Sequence, residues 1–205
     1  MALSLAVVTD GAHLDNLRRT VDSVRDIISE ALIIYQGSDS ATYAEIQKIA
    51  DMAVQTTPKG NADPDRNFAY SIVSGDWTLA LDDDEYMPEE TKQFTAQIME
   101  SKVDVVWYDF KNLVDGVDIK DILGPDPHPR LFRKREGLIN WPAQAHTYPQ
   151  ITSPMQYMTS KFIVHDRKFD ELVARHEKRV KMMDQGNIDL EKRFIDSVKH
   201  KLGKK

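Results

Sequence analysis

The chain has 205 residues, 41% hydrophobic and 29% charged, with a formal net charge of −6 and no cysteine. That composition suits one globular domain, or one with an appendage, and is neither disordered nor fibrous. Disulfides, thiol nucleophiles and cysteine-held zinc are excluded, so any metal must be held by carboxylates, histidine, carbonyls or water, a set that favours Mg²⁺ or Mn²⁺.

No apolar run approaches the roughly 20 residues of a membrane helix. The opening MALSLAVVTDGAH has no basic leader and reads as a first strand, not a signal peptide. The lack of cysteine fits a reducing compartment without proving one, and a cytoplasmic location is the expectation. Residues 3–9 fit a buried strand, and Leu14, Leu17, Val21, Val24 and Ile28 then recur at helical spacing. Residues 31–35 read as a second strand, closed by the turn and cap cluster QGSDS. A helix over 42–51, a strand over 52–56 and a helix over 61–74 follow, the last with Phe68, Ala69, Ile72 and Val73 on one face. Residues 77–81 form a fourth strand. This alternation implies a parallel, Rossmann-like sheet between helices. Pro88, Glu89 and Glu90 then open another helix, with Phe94 and Ile98 facing inward.

Beyond residue 100 the pattern changes. Residues 103–111 and 117–123 read as strands joined around VDGVD, and 128–134 and 161–165 as further strands. Residues 135–160, rich in Pro, Gln, Thr and Tyr, read as loop. Two helical stripes end the chain: Phe169, Leu172, Val173, His176, Val180 and Met183, then Leu190, Phe194, Val198 and Leu202, separated by DQGNID. Residues 167–205 hold 12 Lys+Arg and 7 Asp+Glu, a net of +5, which leaves −11 for residues 1–166. The acidic body argues against broad nucleic-acid binding. The basic tail is either a solvated helix face or a weak contact for a membrane or polyanion. The expected organisation is a body of residues 1–166, divided into halves 1–100 and 101–166, with a helical extension over 167–205.

The segment GDWTLALDDDEYMPEE carries the chemistry. Its apolar strand ends in Asp82, Asp83, Asp84 and Glu85, four acids in a row at a strand's carboxyl end. In open parallel sheets ligands bind in the crevice beyond those ends. Two carboxylates two residues apart there can converge on a hard divalent cation that grips a diphosphate. The plainer reading is an acidic surface turn.

The segments LSLAVVTDGAHLDNLRRTVDSV, ALIIYQGSDSATYAEI, GNADPDRNFAYSIVSGDWTLALDDDEYMPEE and HPRLFRKREGLINWPAQAH, in this order and spacing, resemble the family 2-like glycosyltransferases of the GT-A fold over most of residues 3–165. The resemblance implies an α/β fold with a mixed central sheet flanked by helices. It implies a nucleotide-sugar donor, a UDP-hexose by preference, lying across the strand ends. Asp82 would then meet the ribose or the metal and Asp83 the nucleotide-sugar, and Asp84 would be the main metal ligand. Thr9 would sit beside the base or ribose, and Arg66 and Asn67 match the family's helix-start pair near the nucleotide. Where the family has paired acids after its second strand, this chain has Tyr35 to stack on a base and Gln36 to hydrogen-bond one. Asp51 and Asp10 are alternatives for the missing acid.

The resemblance also implies a general base. Related small members carry His-Glu here, whereas WPAQAHTYP keeps His146 and replaces the acid by Thr147. His146 would then be a metal or phosphate ligand or itself the base, the plainer reading being a packed loop histidine, and Asp126 is the remaining carboxylate candidate. A retaining mechanism, with the leaving phosphate taking the proton, stays open. His165 is a second histidine for the metal. Arg130 and Arg133, in PRLFR, are expected on one face, either as a diphosphate clamp or paired with the surplus acids, and Trp141 as a platform for the acceptor, whether glycan, lipid, protein or modified DNA. Two other readings compete. One is a nucleotidyltransferase acting on a sugar phosphate, although TDGAHLDN lacks its basic, Gly-rich loop. The other is a non-catalytic metal- or carbohydrate-binding module.

Overall fold

The computed structural model describes residues 1–59, 62–142, 148–180 and 185–204. It divides into two compact units, Met1–Asp109 with Pro127–Ile163, and Phe110–Asp126 with Val164–Lys205. In chain order the elements are β1 (Leu3–Thr9), α1 (Leu14–Asp22), β2 (Glu30–Gln36), α2 (Ser40–Ile49), β3 (Met52–Thr56), α3 (Asp63–Ile72), β4 (Trp77–Asp82), β5 (Glu85–Tyr86) and α4 (Glu89–Ile98). They continue as β6 (Val105–Val114), β7 (Val117–Asp118), α5 (Lys120–Leu123), β8 (His128–Arg133), β9 (Ile139–Asn140), β10 (Gln150–Ile151), β11 (Gln156–Arg167), α6 (Phe169–Val180) and α7 (Gln185–Lys201).

The main sheet runs β3-β2-β1-β4-β8-β6-β11-β5, with β7 on β6. β1 to β4 are mutually parallel, and β8 is antiparallel to both β4 and β6. The strand order therefore reverses at β1, which has β2 on one side and β4 on the other. This is the switch point at which such sheets open a crevice. The register sets Val8 beside Asp82, Thr9 beside Tyr35 and Gln36 beside Thr56. Thr9, Gln36, Thr56 and Asp82 thus share one sheet edge.

The sequence explains these elements. Every residue of β1 is buried, as a continuous apolar run requires when both faces of a central parallel strand are covered. One face is closed by α3, whose Ala69 and the following Val73 pack on Ala6, Val8, Leu32 and Ile34. Asp39 caps α2, its carboxylate accepting from the Thr42 N–H at 2.7 Å, an interaction worth about 1 kcal/mol. α3 starts with Asp63, Pro64 and Asp65, and α4 follows Pro88 with Glu89 and Glu90, so acids meet the positive end of each helix dipole.

Three expectations are corrected. α1 ends at Asp22, and the stripe continues to Val24 in tight i→i+3 turns, with Val24 N–H donating to Val21 O at 3.2 Å. Residues 117–123 are a two-residue strand and a helical turn, not one strand. The hairpin before them turns on Asp115 and Gly116, at φ 49° and 78°, the left-handed pair that a tight two-residue turn needs. Residues 135–160 hold the β9–β10 ladder and the start of β11. That start, QYMTS, is mostly exposed and has no alternation to betray it.

In the second unit Val114, Ile119, Phe169, Leu172 and Val198 form a core, joined by Val173, Phe194 and Leu202 from the two expected stripes. Two tail cations are engaged within this unit: Lys204 pairs with Asp115 at 2.7 Å, and Lys201 pairs with Asp121. Among the described residues no helix is long and apolar enough to cross a membrane.

Candidate active site

At the carboxyl edge of β4 the acids are individually bound. Asp82 lies between two guanidinium groups: Arg66 Nη2 donates to its Oδ1, and Arg130 Nη2 lies 3.4 Å from its Oδ2. Arg130 comes from β8 and is buried. It donates to Glu85 twice, from Nε to Oε2 at 3.0 Å and from Nη2 to Oε1 at 2.5 Å, the fork geometry that suits a carboxylate. Glu85, 1% exposed, also accepts from the Asp82 N–H at 3.0 Å and so fixes the turn. Burial works against the charge of Arg130, but the carboxylates of Glu85 and Asp82 more than offset it and hold its pKa above the ordinary guanidinium value.

Asp83 turns toward β1, where Thr9 Oγ1 donates to its Oδ2 at 2.5 Å. Thr9 Oγ1 in turn accepts from the Gly11 N–H at 2.9 Å. Thr20, on α1, donates to the carbonyl of Asp83 at 3.2 Å and shapes the same turn. Burial, and then the charge of Asp84, push the Asp83 carboxyl up to about 7, against the hydrogen bond from Thr9. Asp84 is itself buried. Arg66 and Arg130 pair with Asp82 and Glu85, and Asp83 is only partly ionised near neutral pH, so Asp84 and part of Asp83 leave the strand end net negative. That surplus fits a divalent cation. Among the described residues no three His, Asp or Glu side chains form a ready cage.

The neighbouring strand ends hold a second polar cluster. Asp65, 1% exposed on the first turn of α3, accepts from Gln36 Nε2 at 2.7 Å, from Thr56 Oγ1 at 3.0 Å and from Lys59. Burial raises its pKa, but these three donors outweigh burial and hold the carboxyl below the usual range. α3 thus places a carboxylate beside the end of β2, but buried and held by these three donors. Asp51 cannot serve: it is bound by Arg25 and by the Ala31 N–H at the opposite end of β2. Asp10 is exposed and accepts from the Ala12 N–H at 2.9 Å.

Several expected site residues do other work. Tyr35 is buried, stacked on Tyr43 at 6.1 Å, and covers Gly11 and Gly37 instead of offering its ring to a base. A Cβ on Gly37 would fall inside the Tyr35 ring, and one on Gly11, at φ 77°, would lie 2.8 Å from it. Asn67 is spent on backbone: its Oδ1 accepts from the Trp141 N–H and its Nδ2 donates to the Trp141 carbonyl, both at 2.8 Å. Trp141 is 5% exposed and packs edge-on against Phe132 and Tyr70, so it is core and not an acceptor platform.

Arg130 and Arg133 do not share a face, because a spacing of three along a strand reverses the side chain. Arg133 pairs with Trp77 at the far end of β4, where its guanidinium lies 4.3 Å from the Trp77 ring centroid and donates to the Ser101 and Val103 carbonyls. Asp126 and His165 belong to the second unit, where Asp126 accepts from Asn112 at 3.0 Å and His165 packs edge-on to Phe110. His146 lies outside the described residues.

The first unit therefore brings together Thr9, Arg66, Asp82, Asp83, Asp84 and Arg130, with Gln36 on the next strand end. Sequence reasoning missed Glu85 and Asp65. A fourth consecutive acid with a buried-strand arginine available was a signal for the first. Asp65 had none, because its partners are 29 and 9 residues away in the chain.

Parallel strands about a switch point, with an acidic strand end beside it, form the arrangement expected of the GT-A class of α/β transferase. Comparison with known proteins gives the family. The family model described as glycosyl transferase family 2 matches residues 4–148, and the chain belongs to that family. It is accordingly a glycosyltransferase, and the nucleotidyltransferase and non-catalytic readings fall away.

No curated protein sequence matches the chain significantly. Among solved structures it is similar to S. aureus TarS 1-349 at 16% identity and a TM-score of 0.55, covering 95% of this chain and 70% of that one. The same TarS fragment in complex with UDP gives 15% identity and a TM-score of 0.60, and in complex with UDP-GlcNAc 15% and 0.57, with the same coverage. At this identity the likeness speaks for the fold.

Proposed function

We propose that the protein moves a hexose from a nucleoside diphosphate sugar, with UDP as the nucleotide, to an acceptor hydroxyl, and that it acts in the cytoplasm. The observation that carries this reading is the net-negative end of β4 beside the switch point, braced by Arg66 and Arg130. The similar TarS structures hold UDP and UDP-GlcNAc, which supports a uridine donor.

Asp82 and Asp84 would hold a Mg²⁺ or Mn²⁺ ion there, and the bound cation stabilises the charge that develops on the departing diphosphate. The chain's own residues do the rest. Glu85 and Arg130 hold the turn rigid, so the carboxylates are preorganised and need not reorganise during transfer. Thr9 and Thr20 hold Asp83 and its carbonyl against β1 and α1, and Asp82 would meet the ligand together with Asp84. Arg66 supplies a guanidinium at the mouth, in reach of a phosphate.

The test is thermal stability with Mn²⁺ and a panel of nucleotides, together with slow hydrolysis of candidate nucleotide-sugars. UDP should raise the melting temperature only with metal, by linkage. Asp84→Asn should lose that shift and all sugar transfer while keeping its own fold. Stabilisation by UDP that is equal with and without metal, or unchanged turnover in Asp84→Asn, would refute the assignment.

A further inference from the structure

The two arginines at Asp82 are held in very different ways. Arg130 is buried and doubly bonded to a buried carboxylate, so it cannot leave Asp82 without stranding Glu85. Among the described residues Arg66 is held by Asp82 and Asp63, both partly exposed. Its side chain is 12% exposed, Nη2 binds Asp82, and Nε lies 3.3 Å from Asp63 Oδ1 without hydrogen-bond geometry. Asp63 belongs to the first turn of the same helix, three residues before Arg66, so it can follow the guanidinium through a change of rotamer. Asp82 Oδ1, which Arg66 occupies, belongs to the most exposed carboxylate of this ion-pair network, with a side-chain exposure of 30%.

We propose that Arg66 is a stand-in for the cation: it neutralises Asp82 while no donor is bound and yields that oxygen when a divalent ion arrives with a diphosphate. An ion on Asp82 would need the oxygen, Oδ1, that Arg66 Nη2 holds, and a third positive charge beside a carboxylate already flanked by two guanidinium groups is repelled strongly in a partly buried site. The ion and the Arg66 guanidinium therefore compete for Asp82. A diphosphate resolves the competition, because its oxygens accept the displaced guanidinium as a charge-assisted fork. The arrangement makes metal and nucleotide binding cooperative: each is weak alone, and each removes the obstacle to the other. It also keeps the acidic strand end from taking up a free cation in the absence of donor. The inference rests on the cation site proposed above.

Calorimetry of Mn²⁺ binding to the intact protein, with and without UDP, tests it. Without UDP, Arg66→Gln should bind Mn²⁺ about tenfold more tightly than wild type, since one competing positive charge at ion-pair distance is gone. With UDP that advantage should shrink or reverse, so the Mn²⁺–UDP coupling falls by about tenfold. Arg66→Lys, which keeps the charge, should stay close to wild type without UDP. When Asp82→Asn is already present, adding Arg66→Gln should no longer change Mn²⁺ affinity, a comparison that also controls for any loss of folding in a single variant.

Equal or weaker Mn²⁺ binding by Arg66→Gln without UDP would overturn the stand-in role while leaving the cation site itself in place. Absence of Mn²⁺ binding in every variant, with and without UDP, would overturn the cation site and the inference together.

Discussion

Replacing Glu85 by Gln isolates the ion pair that supports the acidic turn. The shape of the side chain is retained and one negative charge is removed. Arg130 then keeps its burial but loses the carboxylate that takes its two bonds at 3.0 and 2.5 Å, while Asp82 stays at 3.4 Å. Leaving a buried charge without its partner costs about 3–5 kcal/mol. Asp82 at the longer distance recovers part of this, so about 3 kcal/mol is expected. That is a large share of the roughly 5–15 kcal/mol that stabilises a domain.

Urea denaturation should show a lower midpoint with an unchanged slope, since the surface exposed on unfolding is the same. The double variant Glu85→Gln with Arg130→Met should lose less than the two single variants combined, because it removes the stranded charge along with its partner. A loss below about 1 kcal/mol for Glu85→Gln, or strict additivity in the double variant, would refute a stabilising Glu85–Arg130 pair.

Asp65 gives a pH prediction. Its folded pKa is depressed, so it contributes stability that is fully present above the ordinary carboxylate value of about 3.9 and is lost as pH falls through the folded value. Asp65→Asn should cost about 1–3 kcal/mol at neutral pH, and its urea midpoint should fall less steeply below about pH 4 than that of wild type; parallel curves would remove Asp65 from the acid response. Trp141→Ala should lower stability by about 3–5 kcal/mol through loss of core packing; a fall in acceptor affinity with unchanged stability would restore the platform role.

Much of the first unit was legible because it depends on local pattern. The apolar runs of β1, β2 and β4 alternate with the stripes of the intervening helices, so element order and the parallel sheet follow from local pattern. The acids were legible for the same reason: four in a row after an apolar strand break the pattern visibly. Boundaries were less so. α1 stops at Asp22 although the apolar stripe runs on, because a tight turn keeps Val24 inward as well as a helix does. The first residues of β11 carry polar side chains on an exposed stretch, where pairing with a neighbour and not periodicity makes the strand.

The roles of individual side chains divide along the same line. Residue type and order determined that this chain builds a strand–helix sheet ending in a cluster of carboxylates, since those features arise from neighbours a few positions apart. Tertiary structure decided which charges meet. It set Arg130 on Glu85 across 45 residues, Arg66 on Asp82 across 16, and Gln36 on Asp65 across 29. It sent Arg133 to the opposite end of the sheet and drew Tyr35 and Trp141 into the core. The physical reason is that a charged or aromatic side chain settles where burial and a partner are both found, and the partner is fixed by strand register, which no local spacing contains.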